Sequence, residues 1–215
     1  MKKLLVMMVV FACILAAVPL AASTTVFSNF GPGNSYSNAG AWFVVDNPGF
    51  SQMVACQFTP SVNCTLDGID FEAYWATGNT SVSAELLSDS SGLPGGVLES
   101  YTVSGLTSTP QLLTASSTSH PTLTAGQTYW FDLMGNGSFC EWDFNSTDNS
   151  TGSAFRYTSA DPWQASTAYP AGAFRVNGTP TSVVPEPSSL LASLTLLIGV
   201  VPFATIKRRR RVSAE

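Results

Sequence analysis

Between residues 24 and 178 the chain repeats one pattern, a run in which every second side chain is apolar followed by a cluster of Gly, Pro, Asn, Asp or Ser. In Ile69-Asp70-Phe71-Glu72-Ala73-Tyr74-Trp75 the odd positions are apolar. Val54, Cys56 and Phe58 keep the same rhythm, as do Val82, Ala84 and Leu86; Tyr129, Phe131 and Leu133; and Cys140, Trp142 and Phe144. Side chains alternate between two faces only in a strand, so each run sends one face to a core and the other to water. Helical periodicity is absent. Nine or ten such strands, separated by turn residues, predict an all-β domain: an antiparallel two-sheet sandwich of jelly-roll type in preference to a closed barrel. Ser88-Asp89-Ser90-Ser91-Gly92-Leu93-Pro94-Gly95-Gly96 reads as a long exposed loop, and Ser119 to Gly126 leads into the strand around Trp130.

The two ends of the chain follow a different logic. Lys2 and Lys3 precede an apolar run from Leu4 to Leu20, which closes on the small residues Ala21-Ala22-Ser23. That order predicts a signal peptide over residues 1–23, cleaved to leave an exported domain. A linker over 179–183 leads to Val184-Pro185-Glu186-Pro187-Ser188, and 190–206 is an apolar stretch just long enough to cross a bilayer as a helix. Lys207-Arg208-Arg209-Arg210-Arg211 follows, ahead of the last four residues, 212–215; basic residues beside a span stay in the cytoplasm. Both ends therefore deliver the domain to the outer side of the inner membrane.

With the ends removed, the charge balance is extreme. Two arginines, Arg156 and Arg175, face twelve carboxylates, a formal charge of −10 with no lysine. Such a surface repels nucleic acid and anionic lipid and keeps the domain soluble. Cys13 leaves with the signal, so Cys56, Cys64 and Cys140 enter an oxidising compartment as an odd set. Any one pair is open to bridging. Cys56 and Cys64 flank the turn-like Thr59-Pro60-Ser61-Val62-Asn63, a spacing that suits a local cross-strand disulfide.

The tail resembles the PEP-CTERM sorting signal: Val184-Pro185-Glu186-Pro187, one apolar helix and a terminal arginine cluster occur in that fixed order. The resemblance implies recognition by a membrane-embedded exosortase, which cuts near the motif. It also implies a Gram-negative host making extracellular polysaccharide, with the protein in its cell envelope, surface, biofilm or floc matrix. Pro185, Glu186 and Pro187 would then be a recognition site on a substrate. The middle resembles the β-rich choice-of-anchor domains found ahead of such tails, through Asn29-Phe30-Gly31-Pro32-Gly33, Leu87 to Gly95, His120 to Trp130, and Gly172-Ala173-Phe174-Arg175-Val176. That family carries no established activity, so the resemblance names a class without a ligand.

The residues themselves supply few catalytic constellations. His120, the only histidine, has no adjacent nucleophile, and Pro121 sets it at a turn, so it reads as structural. Glu141 and Asp143, two apart on one strand, share an outward face about 7 Å apart, a spacing compatible with inverting glycoside hydrolysis. Asp67, Asp70, Asp89, Asp143 and Asp148 offer hard oxygen ligands near turns, so calcium is the metal to look for, although no cofactor is required. Trp130 alternates onto the polar face and Trp163 sits in the loop Asp161-Pro162-Trp163-Gln164, which makes these two the candidates for sugar stacking; Trp42, Trp75 and Trp142 read as core. Six Asn-x-Ser/Thr sequons, at Asn63, Asn79, Asn136, Asn145, Asn149 and Asn177, follow from an Asn/Ser/Thr-rich composition. The expectation is a non-enzymatic matrix protein associated with polysaccharide; the alternative is a secreted carbohydrate-active enzyme, or a carbohydrate- or calcium-binding module.

Overall fold

The computed structural model describes residues 22–147 and 152–181. Residues 1–21 of the expected signal peptide, the expected sorting motif Val184 to Pro187, the apolar stretch 190–206 and the basic cluster Lys207 to Arg211 lie outside them, as do Asp148 and Asn149. Among the described residues no helix is long and apolar enough to cross a membrane.

The alternating runs become thirteen strands, more than the nine or ten expected. They are β1 (Thr24–Ser28), β2 (Tyr36–Asn47), β3 (Phe50–Phe58), β4 (Cys64–Gly78), β5 (Ser81–Ser90), β6 (Leu93–Ser104) and β7 (Gln111–Ser116), then β8 (Thr122–Leu123), β9 (Tyr129–Gly135), β10 (Ser138–Asn145), β11 (Ser153–Arg156), β12 (Gln164–Ser166) and β13 (Phe174–Pro180). Every pairing is antiparallel. One hydrogen-bonded path runs β1-β13-β4-β10-β2-β3-β9-β5-β6, with β7 and β8 also paired to β4, and β11 joining β3 to β12. β13 extends to Pro180, two residues into the stretch expected to be linker. Thr24 of β1 lies across from Gly178 of β13, so the two ends of the folded region leave side by side.

The sheet is curled. Phe71 of β4 and Phe131 of β9 are separated along the path by three strands, yet their rings meet at 5.6 Å. Phe58 of β3 likewise meets Phe174 of β13 at 6.0 Å. The core between these strands holds Phe58, Phe71, Phe131, Phe174 and Trp142, each less than 2% exposed, at about 2 kcal/mol of apolar burial per ring. Asn29, fully buried, clamps the end of this core. Its Nδ2 donates to the Gly172 carbonyl at 2.8 Å, and its Oδ1 accepts from the Phe174 N–H at 2.7 Å.

At the far edge the tie is ionic. Glu99 of β6 turns inward, and its Oε1 accepts the backbone N–H groups of Thr118 and Ser119 at 2.7 and 2.9 Å. Oε2 takes the hydroxyls of Ser117 and Tyr101 at 2.7 and 2.9 Å. One carboxylate thus fastens the edge strand to the segment that follows β7.

Two local expectations change. Ser88 to Gly96 is a hairpin that closes through Ser91 and Gly92, in place of a long loop. Both turn residues have positive φ, 57° and 84°, the handedness that matches the twist of paired strands, and the Asp89 carboxylate caps the Gly92 N–H at 3.0 Å. The expected Cys56–Cys64 bridge is absent: Cys56, Cys64 and Cys140 are free, buried thiols. The reason is topological. Residues 59–63 are a crossover, because β3 pairs with β2, β9 and β11, whereas β4 pairs with β13, β10, β7 and β8. Cys56 instead accepts the Gly172 N–H at 3.2 Å. Burial pushes the thiols of Cys56 and Cys140 up to about 12, out of the range in which a thiolate forms.

Candidate functional site

The structure opens one sizeable groove on this surface, of about 750 Å³, within the ~300–1,000 Å³ typical of ligand sites. Its origin is a bulge. On β10, Asp143 pairs with Ala41 of β2 but the next residue, Phe144, pairs with Ser37, so Asn38, Ala39 and Gly40 swing out of the ladder. Bulges of this kind re-aim side chains beside functional sites. Gly40 is required there because a Cβ would lie 2.6 Å from the Phe144 ring.

Aromatic side chains line the opening. Trp42 of β2 forms the floor, and its indole N–H donates to the Pro170 carbonyl at 2.8 Å, which holds the following loop over the strand. That contact places Tyr169 edge-on to Trp42 at 5.4 Å and parallel to Phe144 at 6.1 Å, with 57% of Tyr169 left exposed. Tyr157, 45% exposed, leans edge-on against Phe155 at 5.7 Å, and Phe43, 50% exposed, against Phe139 at 5.3 Å. Three polar side chains, Gln52, Glu141 and Ser166, interrupt this wall. Gln52 donates to the Phe43 carbonyl at 2.9 Å, and Glu141 accepts the Tyr74 hydroxyl through Oε2.

Beside Glu141 the ladder sets two further carboxyls together. The Asp143 N–H donates to Glu72 Oε2 at 3.2 Å; Glu72 Oε1 and Asp143 Oδ2 have no partner, and both residues are nearly inaccessible. Burial raises Glu72 to about 8, and the neighbouring Asp143 charge adds to the shift; burial and Glu141 raise Asp143. A single proton shared by the pair relieves both orphaned oxygens. Since the folded-state value of Glu72 exceeds its ordinary 4.5, the folded form binds the extra proton. Its contribution to stability is full below pH 4.5 and is lost as pH rises through about 8. Thermal unfolding followed across that interval should show a falling midpoint in the wild type and a flattened profile in Glu72→Gln, whose amide carries no charge at any of these pH values.

Against this geometry the sequence-derived candidates separate clearly. Trp130 does not offer a stacking face: it is 2% exposed, its N–H donates to Asp89 at 2.8 Å, and it packs with Ala55, Leu87 and Ala154 in a second small cluster. Trp163 covers that cluster half-buried, with the Arg156 guanidinium 4.3 Å from its ring. Alternation and the loop position make both look solvent-facing, but the polar face of this part of the sheet carries its own cover. Asp70, Glu72 and Asp143 are also buried although alternation assigns them to water: Thr114, Arg175 and Asn177 close over Asp70, and Glu72 and Asp143 lie against each other. Asp132, on β9 beside Trp130, is fully buried with neither oxygen paired, and burial pushes its pKa well above the ordinary carboxylate range.

Glu141 and Asp143 do not face a common cleft, since Glu141 lines the groove while Asp143 is 4% exposed against Glu72. The calcium candidates are dispersed. Asp70 pairs with Arg175 at 2.7 Å, Asp67 accepts the Thr179 hydroxyl at 2.9 Å, and Asp89 serves Trp130 and Gly92. Among the described residues no three His, Cys, Asp or Glu side chains come together as a metal site. His120 sits in a turn at φ 49°, its Nδ1 2.8 Å from the Leu66 carbonyl. Trp42 and Trp142 are core residues, and Trp75 packs partly buried against the core. The groove residues Phe43, Tyr157 and Tyr169 were not singled out from sequence. The available signal was the pair of aromatic residues standing in otherwise polar stretches around 157 and 169.

The fold and groove together define an acidic, antiparallel all-β domain with an aromatic-lined groove. No protein-family model and no curated protein matches the chain.

Proposed function

We propose that this chain is an exported, non-enzymatic matrix protein whose β domain, a two-sheet jelly-roll sandwich, binds extracellular polysaccharide through the groove floored by Trp42. The single observation that supports binding is the concentration of half-exposed aromatic rings, Phe43, Tyr157 and Tyr169, around one concave surface. Flat rings match the apolar faces of sugars. The signal-like sequence of residues 1–23 and the succession of motif, apolar stretch and basic cluster at 184–211 support export. Val184-Pro185-Glu186-Pro187 would be read by an exosortase, with the 190–206 helix spanning the inner membrane transiently and Lys207 to Arg211 held in the cytoplasm.

Affinity electrophoresis through gels containing the host's own polysaccharide tests the binding reading. The protein should be retarded, and Tyr169→Ala should weaken retention about tenfold, the equivalent of ~1.4 kcal/mol of lost ring contact, with unchanged thermal stability. Unretarded migration of the wild type removes the reading. Release of reducing ends that disappears in Glu141→Gln would move the chain to the carbohydrate-active enzymes. Delivery is tested by mass spectrometry of the mature protein, which should end near Pro187; a form retaining Arg208 to Arg211 would reduce the tail to a plain anchor.

A further inference from the structure

Resting on the polysaccharide reading above, we infer that the groove is built for glycans free of carboxylate, sulfate or phosphate, and that Glu141 sets this selectivity.

The argument begins with where the positive charge is. Within residues 22–181 the only lysine or arginine side chains are Arg156 and Arg175, and neither lines the groove. Arg175 Nε is bound to Asp70 at 2.7 Å, and its Nη1 donates to Asn34 at 2.9 Å. Arg156 lies over Trp163 and donates to the Ser159 carbonyl at 3.3 Å. An anionic sugar entering the groove therefore meets no cationic partner. It does meet a negative charge. Glu141 lines the groove, and Tyr74 fixes its carboxylate through Oε2.

Among the described residues Glu141 Oε1 has no protein partner, which leaves it able to accept a hydroxyl proton from a bound ring. A neutral sugar satisfies that oxygen by donating to it. A uronate cannot come close without placing like charges a few ångström apart in a partly desolvated wall, a repulsion worth more than ~tenfold in affinity. The Tyr74 bond matters because it removes the option of rotating the carboxylate away from such a ligand. Glu72 and Asp143 lie next to Glu141 and add no positive charge. The aromatic rings supply affinity for any sugar face, so discrimination falls to the one ionised group among them.

The full-length chain, run through gels containing either a neutral glucan (hydroxyethyl cellulose) or a polyuronate (alginate, without divalent cations), gives the test. The glucan should retard the protein at least about tenfold more strongly than alginate at equal sugar concentration. Glu141→Gln should raise alginate retention several-fold, so that the ratio of glucan to alginate retention falls. Gln52→Lys, which puts a cation on the opposite wall without touching Tyr74, should also raise alginate retention, and it keeps the test valid should Glu141→Gln disturb the fold.

Equal retention by alginate and glucan in the wild type overturns the inference. So does alginate retention that neither variant changes. Retention of the host polysaccharide that is lost in Tyr169→Ala would leave the polysaccharide reading standing in either case. If no polymer, host or purified, is retained, both readings fall together.

Discussion

Trp142→Ala should lower the unfolding free energy by about 4 kcal/mol, read as a shifted urea midpoint, out of the roughly 5–15 kcal/mol that holds a domain of this size. The indole is fully buried at the centre of β10. It lies edge-on to Phe131 at 5.8 Å and steeply inclined to Phe174 at 5.9 Å, and its N–H donates to the Ala173 carbonyl at 3.0 Å. Gly172 rests against the ring so closely that any Cβ there would enter the indole. Alanine thus creates a cavity with walls from β9, β10 and β13 and removes one of the two hydrogen bonds to the Ala173 carbonyl, which keeps the Glu72 N–H at 3.1 Å. Trp142→Phe separates these effects, because it keeps much of the volume and loses only the hydrogen bond, at about 1 kcal/mol. A loss below about 1 kcal/mol for Trp142→Ala would mean that the curl of the sheet does not depend on this contact.

Glu99→Gln should cost about 3 kcal/mol despite its near-identical shape, because hydrogen bonds to a charged group are the strong ones. An amide can offer an oxygen to only one side. Its NH₂ must then face either the Thr118 and Ser119 N–H groups or the Ser117 and Tyr101 hydroxyls, which now donate to the carboxylate. Burial alone would raise Glu99, but the bonds from Ser119, Ser117, Thr118 and Tyr101 outweigh it and hold the group at about 2. A lowered folded-state value gives stability that is present above the ordinary 4.5 and lost as pH falls toward 2. The wild type should therefore weaken on acidification through that interval, and Glu99→Gln should lack the slope. Glu72 acts in the opposite sense and favours low pH. Together the two carboxyls place the stability maximum in the weakly acidic range.

The strands were legible because Val82, Ala84 and Leu86, or Tyr129, Phe131 and Leu133, report their shared face directly by alternation. What alternation cannot report is whether the other face is covered. Trp130 and Asp132 alternate onto a face that looks solvent-exposed in sequence, and the side chains that close over it, Arg156 and Trp163, arrive from the β11 to β12 region far along the chain. Asp70 is covered from another quarter, by Thr114 of β7 and by Arg175 and Asn177 of β13, which alternation along β4 reports no better. The Cys56 to Cys64 spacing looked like a hairpin because turn residues between two strands do not reveal whether those strands pair or part. The groove was least legible. Its rings come from a bulged strand and two loops, and the register jump between Asp143 and Phe144 that opens it leaves no compositional trace beyond Gly40.

The neighbouring ends of β1 and β13 make the folded region a transplantable module. Because entry at Thr24 and exit near Gly178 share one sheet edge, the domain can be spliced into a surface loop of an unrelated host protein with short spacers and no rerouting of its strands. Its edge, core and groove would travel with it, so the groove could be presented on a scaffold of choice.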